Sequence, residues 1–405
     1  VNALGYDAPA PALNTVASTM RTPYSFIIVV CAFALALAAG CRDTAIDEYN
    51  LGIEAMQRGD TTAAVAHFES SVAARPTDAD AQVNLGVALL GAGEPERALE
   101  HLQIAAQADP ADVVVHLNMA EAYRALGRYQ AAKTEYEYAL KRDPQLVEAL
   151  AGYGQLMLDA GQYQTATEAL FKAISLKPTH AAAQFSLGWL YMRTDRYLEA
   201  THYFIRGLRT NPSSEYGRVG LAESYLARNM PDDALLEFQK VYAADSTNVT
   251  AMVGIGDCQV RKGNWVQAES ILRRAVVISP DDARAHKCLG DTFAAQGLNV
   301  EAVGHYRMAT QLNDDYAGAY LGLGTALEAA GDLDQAEAAL QTALLHAPKD
   351  PAVLYRLGLV YAQKQNPNLA RSYYEMALAA VGNDRVLTAR IRAALDDVKP
   401  AADTR

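Results

Sequence analysis

Residues 249–282 read VTAMVGIGDCQVRKGNWVQAESILRRAVVISPDD, and the spacing inside this stretch decides the fold. Apolar and small residues recur three and four apart on both sides of Gly263-Asn264, the periodicity of two short helices joined by a tight turn. Pro280 then stops the second helix, because it has no backbone N–H to donate. Stepping by 34 residues in either direction finds the same pattern again, giving ten units from Ala45 to Asp384 with no insertion. A fixed period of this length marks a repeat architecture, whatever domain count the 405 residues would otherwise suggest.

Counting positions 1–34 within each unit, position 20 is alanine in all ten, from Ala64 to Ala370. Position 8 is glycine in eight and alanine at Ala120 and Ala222; position 24 is always large and apolar, as in Phe68, Leu102 and Tyr136. Glycine inside a helix costs about 1 kcal/mol relative to alanine, so its recurrence needs a packing reason. The expected reason is close contact between two antiparallel helices at positions 8 and 20, with positions 7 and 24 filling the space alongside. The helices are predicted over roughly positions 1–14 and 17–31. Position 32 is proline in seven units, and Pro95, Pro231 and Pro367 open second helices at position 17, where proline is best tolerated. Glycine at position 15 in seven units ends the first helix.

These positions resemble the tetratricopeptide repeat family, and the resemblance covers residues 45–384. It implies an all-α fold: a right-handed α-solenoid superhelix of ten tandem helix-turn-helix repeats, with a concave groove lined by the first helices. Val386, Leu387, Ile391, Ala394 and Leu395 lie at helical spacing, so residues 385–405 are read as a capping helix and a frayed tail.

The first forty residues read as an address, with Met20 as the expected true start. An apolar run from Phe26 to Ala39 matches the core of a secretory signal and is short for a bilayer span. Its ending, Leu37-Ala38-Ala39-Gly40-Cys41, resembles a bacterial lipobox, although the leucine stands four residues before the cysteine rather than three. The resemblance implies lipidation of Cys41, a short tether over residues 41–44, and a membrane-anchored chain in the cell envelope that faces the periplasm or exterior. A plain secretory signal or an uncleaved anchor is the alternative reading.

The tetratricopeptide resemblance implies ligand contacts at positions 2, 5, 6, 9, 12 and 13 of the first helices. Position 6 carries Asn50, Asn84 and Asn118, which resemble the asparagine ladder that holds an extended peptide by its backbone; amides donate and accept at once. From the fourth repeat onward the position is mostly glycine or serine, read as room for a bulkier ligand element. Positions 5 and 9 add Glu121, Phe185, Trp189, Glu223, Asp257, Asp291 and Tyr355, an expected acidic and locally aromatic groove for a basic or amphipathic segment. Solvated acids on an acidic protein explain the same residues equally well.

Other function classes find little support. A net charge of -12 argues against binding nucleic acid through its phosphates. Cys258 and Cys288 lack metal-ligand spacing and read as small buried residues, with a disulfide as the lesser alternative. The eight histidines follow the repeat clock rather than converging: His67, His101 and His305 share position 23, and His116 and His286 share position 4. With no phosphate loop, nucleophile elbow or metal set, the expectation is a protein without enzymatic activity or cofactor that binds one or more proteins. The alternative is a structural or regulatory subunit that self-associates through an end of the solenoid.

Overall fold

The computed structural model describes residues 44–398. The first helices of the ten pairs are α1 (Thr44–Arg58), α3 (Ala79–Ala92), α5 (Val113–Ala125), α7 (Val147–Asp159), α9 (Ala181–Arg193), α11 (Glu215–Ala227), α13 (Val249–Arg261), α15 (Ala283–Ala295), α17 (Ala317–Ala330) and α19 (Pro351–Gln363). Their partners are α2 (Thr61–Ala74), α4 (Pro95–Ala108), α6 (Tyr129–Arg142), α8 (Tyr163–Leu176), α10 (Tyr197–Thr210), α12 (Pro231–Ala244), α14 (Trp265–Ile278), α16 (Asn299–Leu312), α18 (Leu333–His346) and α20 (Pro367–Ala380). Helix α21 (Arg385–Asp397) follows, and no strand occurs among the described residues. Every second helix occupies positions 17–30, one residue shorter than the spacing predicts. Thr44, expected in the tether, opens α1 instead. The remaining tether residues, the signal region, Cys41 and the end of the tail lie outside the described residues.

Every position-20 alanine is fully buried, and every position-24 side chain is at most 3% exposed. A Cβ on Gly52 would lie 2.6 Å from a ring carbon of Phe68, and one on Gly86 would lie 2.7 Å from Leu102 Cγ. The position-8 glycine is therefore needed chiefly because the position-24 side chain of its own hairpin fills that volume. At Gly86 and Gly324 the carbonyl of the position-20 alanine also comes within about van der Waals distance, 3.3 and 3.2 Å from the missing Cβ.

The turn at position 15 is left-handed in all ten hairpins, with φ between +57° and +85°. Seven glycines adopt this without strain, whereas Asp195, Asn229 and Gln365 adopt it with a side chain present. Position 34 caps the next first helix in most repeats; Asp78, Asn248 and Asp282 each accept a hydrogen bond from a backbone N–H three residues on.

The described helices fall into two compact units, residues 44–220 and residues 221–398. Within each, first helices of successive repeats touch one another: α3 with α5 and α7 with α9 in the first unit, α13 with α15 and α17 with α19 in the second. Second helices pack between flanking first helices. The first helices thus form the inner wall of each unit and the second helices the outer face. On α1, Asp47 and Glu54 face water where their equivalents in α3, Ala81 and Ala88, are buried. Helix α21 packs on α20 through Leu387 and Ile391 and carries Arg392 at position 8, where a second helix would require glycine or alanine.

Candidate functional site

In the unit of residues 44–220, the predicted asparagines divide. Asn50 is exposed, but Asn84 and Asn118 are only 2% and 3% exposed. The Asn84 amide donates to the Tyr49 hydroxyl at 2.8 Å and to the Asp80 carbonyl at 3.0 Å, and the Asn118 amide donates to the Val114 carbonyl at 2.9 Å. A peptide taking these amides would have to displace bonds already made.

The third to fifth repeats carry a polar chain along the inner wall. The Ser186 hydroxyl donates to Gln155 Oε1 at 2.6 Å, and the Gln155 amide donates to Asp159 at 2.8 Å. Glu121 accepts from the Tyr136 hydroxyl and pairs with Arg124 at 2.8 Å. Asp159 keeps an edge open to water, yet the protein crowded around it pushes its carboxyl up against the pull of Arg124 and Arg193. Beside it, burial and then the Asp159 charge push the Tyr216 phenol up.

Trp189 stands at this cluster with its ring 5.5 Å from Tyr216 and 5.4 Å from Phe204. Its indole N–H is buried without a hydrogen-bond acceptor, as is the Tyr129 hydroxyl, which lies within reach of the Asp159 and Arg124 charges. An unsatisfied buried donor carries a penalty of about 1–3 kcal/mol that an incoming acceptor would relieve. Phe185 is not part of this surface: its ring is packed away against Gly207 and Gly217.

In the unit of residues 221–398, each predicted acid has a cation of its own. Glu223 is buried and pairs with Arg284 at 3.2 Å. Asp257 pairs with Arg261 at 3.0 Å. Asp291 pairs with Lys287 at 2.7 Å and accepts from the Tyr306 hydroxyl at 2.8 Å. Burial is the largest single influence and opposes the Lys287 ammonium, but Asp291 together with Tyr316, Cys288 and Asp257 outweighs it and holds the group above its ordinary range. Tyr355 is half-buried, its ring 5.9 Å from Tyr374. The expected acidic groove is therefore a wall of paired charges, because spacing revealed the acids but not the cations that fold beside them.

The reading of position-6 glycines as open room is also corrected. A Cβ on Gly254 would meet the Phe238 ring, and the same holds for Gly152 with Tyr136, Gly220 with Phe204 and Gly322 with Tyr306. The aromatic side chain at position 24 of the preceding repeat already occupies the space. The signal was in the sequence: where position 24 is Leu102, Leu170, Leu272 or Leu340, the next position 6 is Asn118, Ser186, Cys288 or Arg356.

The histidines have structural work. His67 bonds Glu48, His101 bonds Gln82, His116 bonds Glu135 and His305 bonds His286, always between positions 4 and 23 of one hairpin. Position 4 also reaches back to the position-32 proline carbonyl, as Gln82 does to Pro76 at 2.7 Å and His286 to Pro280 at 3.1 Å. Cys258 and Cys288 are buried free thiols, and burial pushes the Cys288 thiol up to about 12. Among the described residues no group of three or more His, Cys, Asp or Glu could hold a metal ion, and no helix is long and apolar enough to cross a membrane.

Two tetratricopeptide repeat models match the chain, one over residues 49–113, 154–215, 267–317 and 321–385, the other over residues 89–156 and 225–290. No curated protein matches it by sequence. Among solved structures, it is similar to the APC/C hetero-tetramer Cut9-Hcn1 at 16% identity and a TM-score of 0.48, covering 88% of this chain and 97% of that one. A tetratricopeptide repeat protein from Parabacteroides merdae is similar at 17% identity and a TM-score of 0.45, over 71% of this chain and 100% of the other. A third, a thermophilic repeat protein from Thermus thermophilus, shares 23% identity over 45% of this chain and 99% of its own, with a TM-score of 0.42. With the model matches spanning well over half of its length, the chain belongs to the tetratricopeptide repeat family.

Proposed function

We propose that the chain is a non-catalytic scaffold that holds a segment of another protein against its inner wall, tethered to a bacterial envelope membrane through a lipidated Cys41. The observation that carries the groove reading is the Trp189 indole N–H, buried without an acceptor between aromatic rings and beside the Ser186–Gln155–Asp159 chain. A backbone carbonyl on an extended or amphipathic segment supplies the acceptor once the groups covering the indole N–H move aside, and Trp189 and Tyr216 supply apolar contact. Because the wall's charges are paired, the segment is amphipathic rather than strongly basic. The tether rests on the sequence ending at Cys41.

Self-association through an end of the stack is the second reading. The charges Asp47 and Glu54 on α1, and Arg392 on α21, weigh against it, whereas exposed Ile46 and Leu51 on α1 and Val386 on α21 are what such a contact would cover.

The test is photocrosslinking in cells from a reactive residue at position 159, comparing the native chain with Cys41→Ser. A discrete crosslinked protein that is lost with Cys41→Ser is the expected result. A folded, membrane-bound chain that yields no crosslink would overturn the groove reading, and a crosslink that survives Cys41→Ser would overturn the tether.

A further inference from the structure

The repeats provide an internal comparison of what each position needs for folding, and the outer face of α14 and α16 departs from it. Position 18 is polar in seven repeats, including Glu96, Gln130 and Asp334, and apolar in three: Leu198 in α10, and Val266 and Val300 on the neighbouring α14 and α16. These valines are 77% and 80% exposed, and Val277 at position 29 of α14 is 80% exposed. Valine loses rotamer freedom in a helix, so an exposed helical valine gains nothing from burial and forms helix less well than the residues it replaces. Between Val300 and the end of α16 lies Gly304, in mid-helix and exposed, with nothing within 4 Å of where its Cβ would be. Every position-8 glycine is filled by a neighbouring side chain; Gly304 is not.

Four residues that the fold does not use, Val266, Val277, Val300 and Gly304, thus share one face, and a close-approaching partner uses all of them. Glycine lets a second helix come near, and the valines give it apolar contact. Arg273, Arg274 and Arg307 stand on the same two helices, at positions 25 and 26. All three are exposed; Arg273 is paired with Glu269, while Arg274 and Arg307 donate to the neutral Tyr242 hydroxyl and Gln335 amide oxygen and so leave a cationic excess at the rim of this surface on a chain of net charge -12. We propose that the outer face of α14 and α16 docks an amphipathic helix of a partner protein whose apolar stripe is flanked by acidic residues. This surface is separate from the inner wall and stands independently of the groove reading.

The probe is a synthetic helical peptide of about five turns, with leucines along one stripe and glutamates beside it, paired with a copy carrying lysines in place of the glutamates. The full chain, held in nanodiscs of zwitterionic lipid, carries Trp189→Phe so that Trp265 at the start of α14 is the remaining tryptophan. Saturable change in Trp265 emission with the glutamate peptide is expected, with roughly tenfold weaker binding of the lysine copy, as loss of a few exposed ion pairs would give. Val266→Gln combined with Val300→Gln should abolish the response without lowering the melting temperature. Equal binding of the two peptides, no binding, or binding indifferent to the double substitution would overturn the proposal. So would concentration-dependent dimerisation abolished by that substitution, which would assign the face to a second copy of the chain.

Discussion

The ring of Phe238 occupies the volume that a side chain at Gly254 would need: a Cβ there would lie 2.5 Å from Phe238 Cε1. Position 24 of one repeat and position 6 of the next are thus one packing unit. Gly254→Ala should destabilise the chain by about 1–2 kcal/mol, overpacking offset in part by alanine's better helix propensity. Adding Phe238→Leu, leucine being the position-24 residue ahead of Asn118, Ser186, Cys288 and Arg356, should recover part of that loss. Thermal unfolding of the two single variants and the double tests this, and strict additivity would mean that the two positions are not coupled.

Gln365 occupies a left-handed turn at φ +59° that seven other repeats give to glycine. A non-glycine residue there costs about 1–2 kcal/mol, while glycine surrenders part of that in unfolded-chain entropy. Gln365→Gly should therefore raise local stability by about 0.5–1 kcal/mol, read as slower amide exchange in α19 and α20. Faster exchange would show that Gln365 is held by something other than its backbone.

The pair Glu223–Arg284 joins residues 61 apart in sequence, reaching from α11 to α15. Arg284→Met takes from a buried carboxylate its ion-pair partner. Because the guanidinium is itself partly exposed, the expected loss lies near or below the low end for buried pairs, about 2–3 kcal/mol. Glu223→Gln with Arg284→Met should be milder than Arg284→Met alone. Denaturant unfolding that ranks the double variant as the less stable would contradict a buried charge as the cause.

Burial lowers the pKa of His101, His180 and His305; Arg97, Lys177, His286 and Arg273 add to the effect, and Glu100 and Glu69 at His101 and Glu148 at His180 oppose it without cancelling it. Below 6.5, the ordinary imidazole value, the unfolded chain binds protons that the folded chain refuses. Stability is therefore full above that pH and falls as pH drops through the depressed folded values. His101→Gln, His180→Asn and His305→Gln together should flatten the acid side of a melting-temperature profile, the asparagine keeping the cap that His180 gives to Ala183. An unchanged profile would place the acid sensitivity elsewhere.

Much of the fold was legible because a repeated sequence contains its own comparison. Ala268 and its nine counterparts mark the helix crossing, and Pro280 and Gly263 mark where helices stop, since helix termination and close approach are local demands that few residue types satisfy. The candidate site was less legible. Trp189 and Asp291 were found from their positions, but whether Asn84 is free or occupied depends on Tyr49, 35 residues away.

The sequence by itself therefore determined the ten hairpins, their register and the positions that must be alanine or glycine, all set by the local chemistry of backbone and Cβ within one 34-residue period, while the structure showed that the position-24 side chain is what position 8 chiefly meets. Only the tertiary structure decided which polar groups are already used: Glu223 by Arg284, Asp291 by Lys287 and the Gly254 space by Phe238. Those outcomes depend on side chains brought together from different turns of the stack, where burial and charge act over distance in space rather than along the chain.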